Sequence, residues 1–308
     1  MTPRALLPLL ALAATVSAAA AQAGDGDSGF RRQGLAFTNP GHNNHDIVRT
    51  ADGRYRAYFM DRGAILSAVS EGGRRFKIEE GVRVDGGHPA VMRLKGGRVR
   101  IYFSPFGEPG LRSAISSDGL DFEVEPGLRL KPAKQGAPDS EGSIHPSAVR
   151  LGDGRTRIYY DAVGESEGAF DLGWNGVMSA TSDDGLRFTR DRGMRLVADD
   201  LPDAGMVWSP FVRREGRRWA LYVSVEASEK PRRNGGIWRL RSRNGLRFAR
   251  KTQRKFFGVE PGATNVGPGP GGPQNTPQDP FLLKVKRGER LFYWEAGEGT
   301  YTAFRPQR

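Results

Sequence analysis

Apolar and polar positions alternate through most of the chain beyond residue 24, interrupted every few residues by turn formers, and the alternation recurs in one order. An apolar strand, a glycine-containing turn and an aromatic strand follow one another in HPAVMRLKGGRVRIYF from His88, HPSAVRLGDGRTRIYY from His145 and DPFLLKVKRGERLFYW from Asp279. A period of two marks strands with one buried face. NHDIVRTADGRYRAYF from Asn44 fits the same frame without gaps, and SPFVRREGRRWALYV from Ser209 fits with one residue adjusted, which makes five copies. Asp279 stands as far ahead of Tyr293 as His88 stands ahead of Tyr102, so those tyrosines are expected to be equivalent.

A second phrase follows four of the copies: SEGGRRF at 70–76, SSDGLDF at 116–122, SDDGLRF at 182–188 and SRNGLRF at 242–248, with the Ser-to-Phe spacing fixed. Asp-Gly and Asn-Gly tolerate positive φ and are strong hairpin signals. The phrase is therefore expected to join the two outer strands of each copy, with Phe76, Phe122, Phe188 and Phe248 as structural residues. Each copy then reads as a four-stranded antiparallel blade, and the whole as an all-β, five-bladed β-propeller. The last copy stops after TYTAF at Phe304 without an outer strand, whereas FRRQGLAF at 30–37 precedes any inner strand. The N-terminal strand is expected to complete the last blade, because an unsealed seam would leave an open sheet edge in water. A single domain over 24–308 follows.

Ahead of it, 1–23 places Arg4 before an apolar, alanine-rich run that ends in small residues, the pattern of a signal peptide. The run is too short and too weakly apolar for an anchor, and no other stretch could span a bilayer. A secreted or periplasmic setting is expected, and with no cysteine the chain has neither disulfides nor a thiolate metal site. The net charge of +12 comes mostly from arginines scattered in pairs, such as Arg74-Arg75 and Arg217-Arg218. Scattering argues against a nucleic-acid surface and for a solvated basic exterior, one that would also attract an acidic glycan.

The four histidines, His42, His45, His88 and His145, all fall at or just before the first strand of copies 1 to 3. Innermost strands of a propeller line its channel, so His88, His145, Ser209, Asp279 and either Asn44 or His45 should gather around one mouth. Such a ring could cap strand ends, contact a polar ligand, or hold a metal through neutral imidazoles and a carboxylate. For proton donation Glu141, just before the inner strand of copy 3, is the preferred candidate, with Glu226, Glu295, Asp161 or a ring histidine as alternatives. A carboxyl buried among apolar groups holds its proton to higher pH. Trp208 and Trp174 are candidate platforms for a sugar ring, whereas Trp219, Trp238 and Trp294 lie inside strands and read as packing residues.

Blades that open near His-Pro or Asp-Pro and carry S-x-D-G-x-x-F turns resemble the arabinanase, levansucrase and invertase superfamily, with glycoside hydrolase family 43 nearest. The resemblance implies an Asp of the first blade as general base, an Asp on an adjacent blade that tunes the acid, and a Glu that donates the proton. Inverting hydrolysis needs its two carboxyl groups on opposite sides of the bond, far enough apart to admit water. Asp46 matches the base. His145 stands where the tuning Asp belongs, and Trp208-Ser209 stand where the acid belongs. The expected function is thus a secreted glycoside hydrolase-like protein cleaving a glycosidic bond at the channel mouth. Asp46 would be the base and Glu141 the acid, with His45, His88, His145, Trp208 and Asp279 contacting carbohydrate and with no cofactor. The alternative is a noncatalytic propeller that binds a glycan or another envelope component.

Overall fold

The computed structural model describes residues 28–38, 44–165, 173–227, 235–259, 276–295 and 299–307. The expected leader at 1–23, His42 and parts of the longest connections lie outside the described residues. The described chain forms twenty strands in five four-stranded antiparallel sheets. Blade 1 is β2 (His45–Arg49), β3 (Tyr55–Asp61), β4 (Ala64–Ser70) and β5 (Lys77–Asp85). Blade 2 is β6 (Gly87–Arg93), β7 (Val99–Ser104), β8 (Arg112–Ser116) and β9 (Glu123–Val124). Blade 3 is β10 (Gly142–Arg150), β11 (Thr156–Val163), β12 (Trp174–Ser182) and β13 (Thr189–Arg190). Blade 4 is β14 (Ala204–Glu215), β15 (Arg218–Ala227), β16 (Gly236–Ser242) and β17 (Arg254–Gly258). Blade 5 is β18 (Gln278–Val285), β19 (Gly288–Glu295) and β20 (Gly299–Pro306), completed by β1 (Arg31–Thr38) from the N-terminal side.

The closure occurs as the repeat requires: β1 pairs antiparallel with β20, placing Arg31 opposite Phe304 and Thr38 opposite Gly299. The core lies between the blades. Second strands are buried along most of their length, β7 at every residue, because each sits mid-sheet with another blade against both faces.

The phrase at 116–122 is a six-residue loop rather than a two-residue hairpin. Ser116 Oγ accepts the Gly119 amide at 2.8 Å, and Asp118 Oδ1 accepts the amides of Leu120 and Asp121 at 2.8 and 3.1 Å. Its glycine, at φ +78°, exposes a carbonyl that the preceding blade uses. Tyr58 donates to Gly119 O, Tyr102 to Gly185 O and Tyr159 to Gly245 O, at 2.8, 2.9 and 2.8 Å. The phenylalanine that ends the phrase packs edge-on against the same tyrosine, in Tyr58–Phe122, Tyr102–Phe188 and Tyr159–Phe248.

Two residues ahead of each tyrosine, on the same face of the strand, stands an arginine. Arg56, Arg100 and Arg157 pair with Glu79, Glu125 and Asp191 on their own blade's outer strand or the residue that follows it, at 2.7, 2.7 and 3.0 Å. Arg56 and Arg157 also donate to the neighbouring loop, at Asp118 O and Asn244 O. These three arginines and Arg83, Arg129 and Arg195 are buried. The exposed pairs Arg74-Arg75 and Arg217-Arg218 fit the expected solvated exterior; the buried set departs from it, because in this fold much of the basic charge joins blade to blade.

Candidate active site at the channel mouth

The first strands of blades 2 to 5 share one irregularity at their starts. Register slips fall between Gly87 and Ala90, Ile144 and Ser147, Trp208 and Phe211, and Gln278 and Phe281. Inside each slip lies His88, His145, Ser209 or Asp279, with φ of 54°, 48°, 52° and 53°, and a proline follows each. A non-glycine residue in the left-handed region ahead of proline is strained on both counts, at a cost of about 1–3 kcal/mol. The bulge redirects the side chain, and the repetition brings one side chain per blade to a common cavity. Asn44 takes the fifth place: its Nδ2 lies 2.9 Å from Ser209 Oγ and 2.9 Å from Asp279 Oδ1. Of the two residues considered for blade 1, Asn44 therefore makes these ring contacts. His45 is buried with its ring 6.4 and 6.3 Å from Phe281 and Phe292, though it also borders the cavity.

Asn44, Asp46, His88, His145, Ser209 and Asp279 line a cavity of about 20 Å³. That is room for roughly one water, so a sugar ring has to sit above this floor rather than within it. His145 and His88 pack with ring centres 4.2 Å apart. His145 Nδ1 is 2.6 Å from Asp161 Oδ2, and the same oxygen accepts the Ser209 amide at 2.8 Å. Asp161 thereby fixes the imidazole and the next blade together. Burial pushes the Asp161 carboxyl well up, opposed by the Ser209 amide. Burial likewise pushes Asp279 up to about 7, against the hydrogen bonds from Ser209 and Asn44 and with help from the nearby Asp161 charge. Asp279 Oδ2 is buried and has no hydrogen-bond partner in the described structure.

Asp46 lies two residues beyond the ring position. Its carboxylate accepts the Ile47 amide at 2.7 Å and, across the blade boundary, the Val91 amide at 2.7 Å. Burial raises it to about 7 in spite of these two donors. Ser147 has the corresponding place in blade 3, and its Oγ accepts the Val212 amide of blade 4 at 3.1 Å. Among the described residues no group of three or more His, Cys, Asp or Glu could hold a metal ion.

Solved structures share this architecture over nearly the whole chain. An endo-arabinase from Bacteroides thetaiotaomicron is 14% identical, with a TM-score of 0.62 over 89% of this chain and 98% of that one. A thermostable family-43 glycoside hydrolase is 13% identical, with a TM-score of 0.60 over 87% and 91%. A member of the GH130 family, whose mannoside phosphorylases include glycoside hydrolases that target β-1,2 mannosidic linkages in Candida mannan, is 16% identical, with a TM-score of 0.64 over 91% and 95%. The fold is that of the family-43-like glycoside hydrolases. No family model matches the sequence, and no curated protein matches it.

On this family-43-like frame the other expected site residues separate into two groups. His88, His145 and Asp279 meet at the cavity, joined by Asn44, Ser209 and Asp161. Glu141 is exposed and borders a different depression, with Glu108 and Pro109. Trp208 is 1% exposed, packed against Trp174 and His145 with ring centres 5.5 and 5.6 Å away. It has no face to offer a sugar, and the half-buried Trp174 covers it. Glu295 is engaged by Arg32 at 2.8 Å. Asn44 is legible in the sequence as the residue aligned with His88 and His145.

Proposed function

We propose that this protein acts on glycans as a glycoside hydrolase whose reacting bond lies over the channel-mouth ring. The observation that carries the reading is the convergence of Asp279 and Asp46, two carboxyls raised to about 7 by burial, on one polar cavity. Asp279 would hold its proton near neutral pH on a carboxyl whose Oδ2 has no partner among the described residues, suiting it to protonate a leaving oxygen. Asp46, kept as an acceptor by two amides, would take the proton of an attacking water. His145, held by Asp161, and Asn44 would orient sugar hydroxyls. Asp279 takes the acid role in place of Glu141 because it shares the cavity with the base. Glycan action fits the endo-arabinase and the mannan-directed GH130 family that share this fold, and an exported setting rests on the leader-like 1–23.

The test is release of reducing sugar from neutral and acidic polysaccharides by the wild-type protein and by Asp279→Asn and Asp46→Asn. A loss of about 100-fold or more is expected for each substitution, within the range of general acid–base catalysis. Unchanged turnover in Asp279→Asn would remove it from the acid role.

A second reading rests on Asp46. Because it clips blade 1 to blade 2 as Ser147 clips blade 3 to blade 4, the ring could bind a glycan without cutting it. Glycan binding that survives Asp46→Asn, with no sugar released from any substrate, would favour that reading.

A further inference from the structure

The loops that join third to fourth strands are alike in blades 2 to 4 and different in blade 1. In the three that agree, a side-chain oxygen accepts the two amides that close the turn. Asp118 Oδ1 does so for Leu120 and Asp121, Asp184 Oδ1 for Leu186 and Arg187 at 2.8 and 2.9 Å, and Asn244 Oδ1 for Leu246 and Arg247 at 3.0 and 3.1 Å. Blade 1 has Gly72 at that place and arginines at both amide positions, in SEGGRRF. Ser70 Oγ still accepts the Gly73 amide at 3.0 Å, as Ser116 Oγ accepts that of Gly119, so the loop begins in the shared way. No side chain among the described residues then takes the Arg74 and Arg75 amides.

The joint beside this loop lacks an acid as well. Arg290 of β19 stands two residues ahead of Phe292, which packs on Phe76 of the loop, the place that Arg56, Arg100 and Arg157 hold in their own blades. Those three pair with Glu79, Glu125 and Asp191. Arg290 has the neutral Gln33 of β1, whose Oε1 accepts its Nη1, and no carboxylate partner among the described residues. Burial and the nearby Arg74 charge both pull the Arg290 pKa down. Gly72, Arg54, Arg74, Arg75 and Lys77 border an open depression of about 600 Å³. Asp52 engages Arg54 at 2.7 Å, which leaves Arg74, Arg75 and Lys77 without an ion pair among the described residues. Ser70 pairs with Tyr55, and Tyr55 with Arg49, the end of β2 remote from His45. The depression therefore lies on the face of the propeller opposite the channel mouth.

We propose that the blade 1 loop is an oxyanion site, taking a phosphate or sulfate group, free or esterified, at the place that the Asp118 and Asp184 carboxylates fill in their own loops. Successive backbone amides aimed at one point form an anion-binding concavity, and guanidinium groups match oxyanions through paired donors. The bound group would bring from outside the negative charge that Gly72 and Gln33 leave out. The site shares no residue with the channel-mouth ring and stands whether or not the glycan reading does.

Gly72 lies outside the left-handed region, and a Cβ there would meet nothing within 4 Å, so a side chain can be added without strain. Gly72→Asp and Gly72→Asn would place an internal acceptor on the Arg74 and Arg75 amides, the second without adding charge, whereas Gly72→Ala would leave them open. Inorganic phosphate, inorganic sulfate and phenyl phosphate are titrated at constant ionic strength, with chloride as the balancing anion, and read by the chemical shifts of the loop amides. Wild type and Gly72→Ala should show one saturable site with a Kd of about 1 mM or tighter. Gly72→Asn and Gly72→Asp should weaken it about tenfold or more, and Arg74→Gln about threefold or more. Phenyl phosphate that binds as inorganic phosphate does assigns the site to an esterified group, and its exclusion assigns the site to the free ion. Shifts that never saturate in wild type, or a Gly72→Asn protein that binds as wild type does, would overturn the site and leave only diffuse attraction to a basic face.

Discussion

Replacing Asp279 by Asn should stabilise the protein above neutral pH and abolish hydrolysis together. Burial holds the folded carboxyl at about 7 against an ordinary value of 3.8, so between those two pH values the native state keeps a proton that the unfolded chain has released. Stability falls with rising pH wherever the native state binds more protons. The contribution of this group is therefore complete below the unfolded value and lost as pH climbs through the folded one. The gap amounts to about 4 kcal/mol above pH 7. Asn carries no charge to desolvate and can still accept from the Asn44 amide. Near pH 4 the two proteins should melt within a few degrees of one another, and at pH 8 the variant should melt higher. At roughly 2–4 °C per kcal/mol for a domain of this size, the difference is about 8–16 °C. The assay is thermal unfolding by circular dichroism at half-unit steps from pH 4 to 8.5, read as the difference between the two proteins. That difference isolates Asp279 from the other carboxylates that titrate in the same range. An offset constant across pH would refute a desolvated, proton-holding Asp279 and with it the acid assigned to that residue.

Three further outcomes follow from contacts within and between blades. Arg100→Met leaves Glu125 in its half-buried place without a cation and should cost about 3 kcal/mol in urea unfolding, while Arg155→Met, which breaks an exposed pair with Asp153, should cost under about 1 kcal/mol. Ser147→Ala removes the acceptor for the buried Val212 amide and should cost about 1–2 kcal/mol in the same assay without altering disaccharide turnover. A chain starting after Thr38 lacks β1 and exposes the edge of β20; size-exclusion chromatography should find it aggregated, and a monomer with native circular dichroism would contradict the closure.

Sequence periodicity carried the blades because each copy must satisfy the same two neighbours. The strand alternation, the S-x-D-G-x-x-F loop and the missing outer strand of the last copy are all consequences of ring closure, and β1 pairs as they require. Spacing failed where a turn changed length: the connection between β18 and β19 is the two residues 286–287, whereas those between β6 and β7 and between β10 and β11 are five. Phe281 faces Phe292 in β19, so the residue equivalent to Tyr102 and Tyr159 is Phe292, which packs on Phe76 of blade 1 as those tyrosines pack on the loops beside them. A one-residue difference along a strand turns a side chain to the other face, and blade 4, whose turn is equally short, has Tyr222 opposite Phe211 at the same spacing. Glu141 and Trp208 show a different limit. Their placement depends on exposure and on what lies above a strand end, which a strand pattern does not encode; likewise the 2.6 Å contact with His145 is what distinguishes Asp161 from the other acidic residues at strand ends.

The bulges also explain how a scaffold shared at about 14% identity can carry altered chemistry. At His88, His145, Ser209 and Asp279 a backbone slip and a positive φ aim the side chain, and contacts such as His145 with Asp161 then hold it. Any short polar residue at such a place is delivered to the same point above the axis. Imidazole, hydroxyl and carboxyl can then replace one another without moving a strand, so the fold constrains where chemistry happens while leaving open which chemistry it is. In this chain the exchange leaves a carboxyl oxygen of Asp279 with no hydrogen-bond partner among the described residues, in the same cavity as an imidazole locked to a buried carboxyl. With Asp279 as the acid, hydrolysis should fall on the alkaline side near pH 7 in wild type, as Asp279 loses its proton. Activity that rises without limit through pH 9 would mean the proton comes from somewhere else.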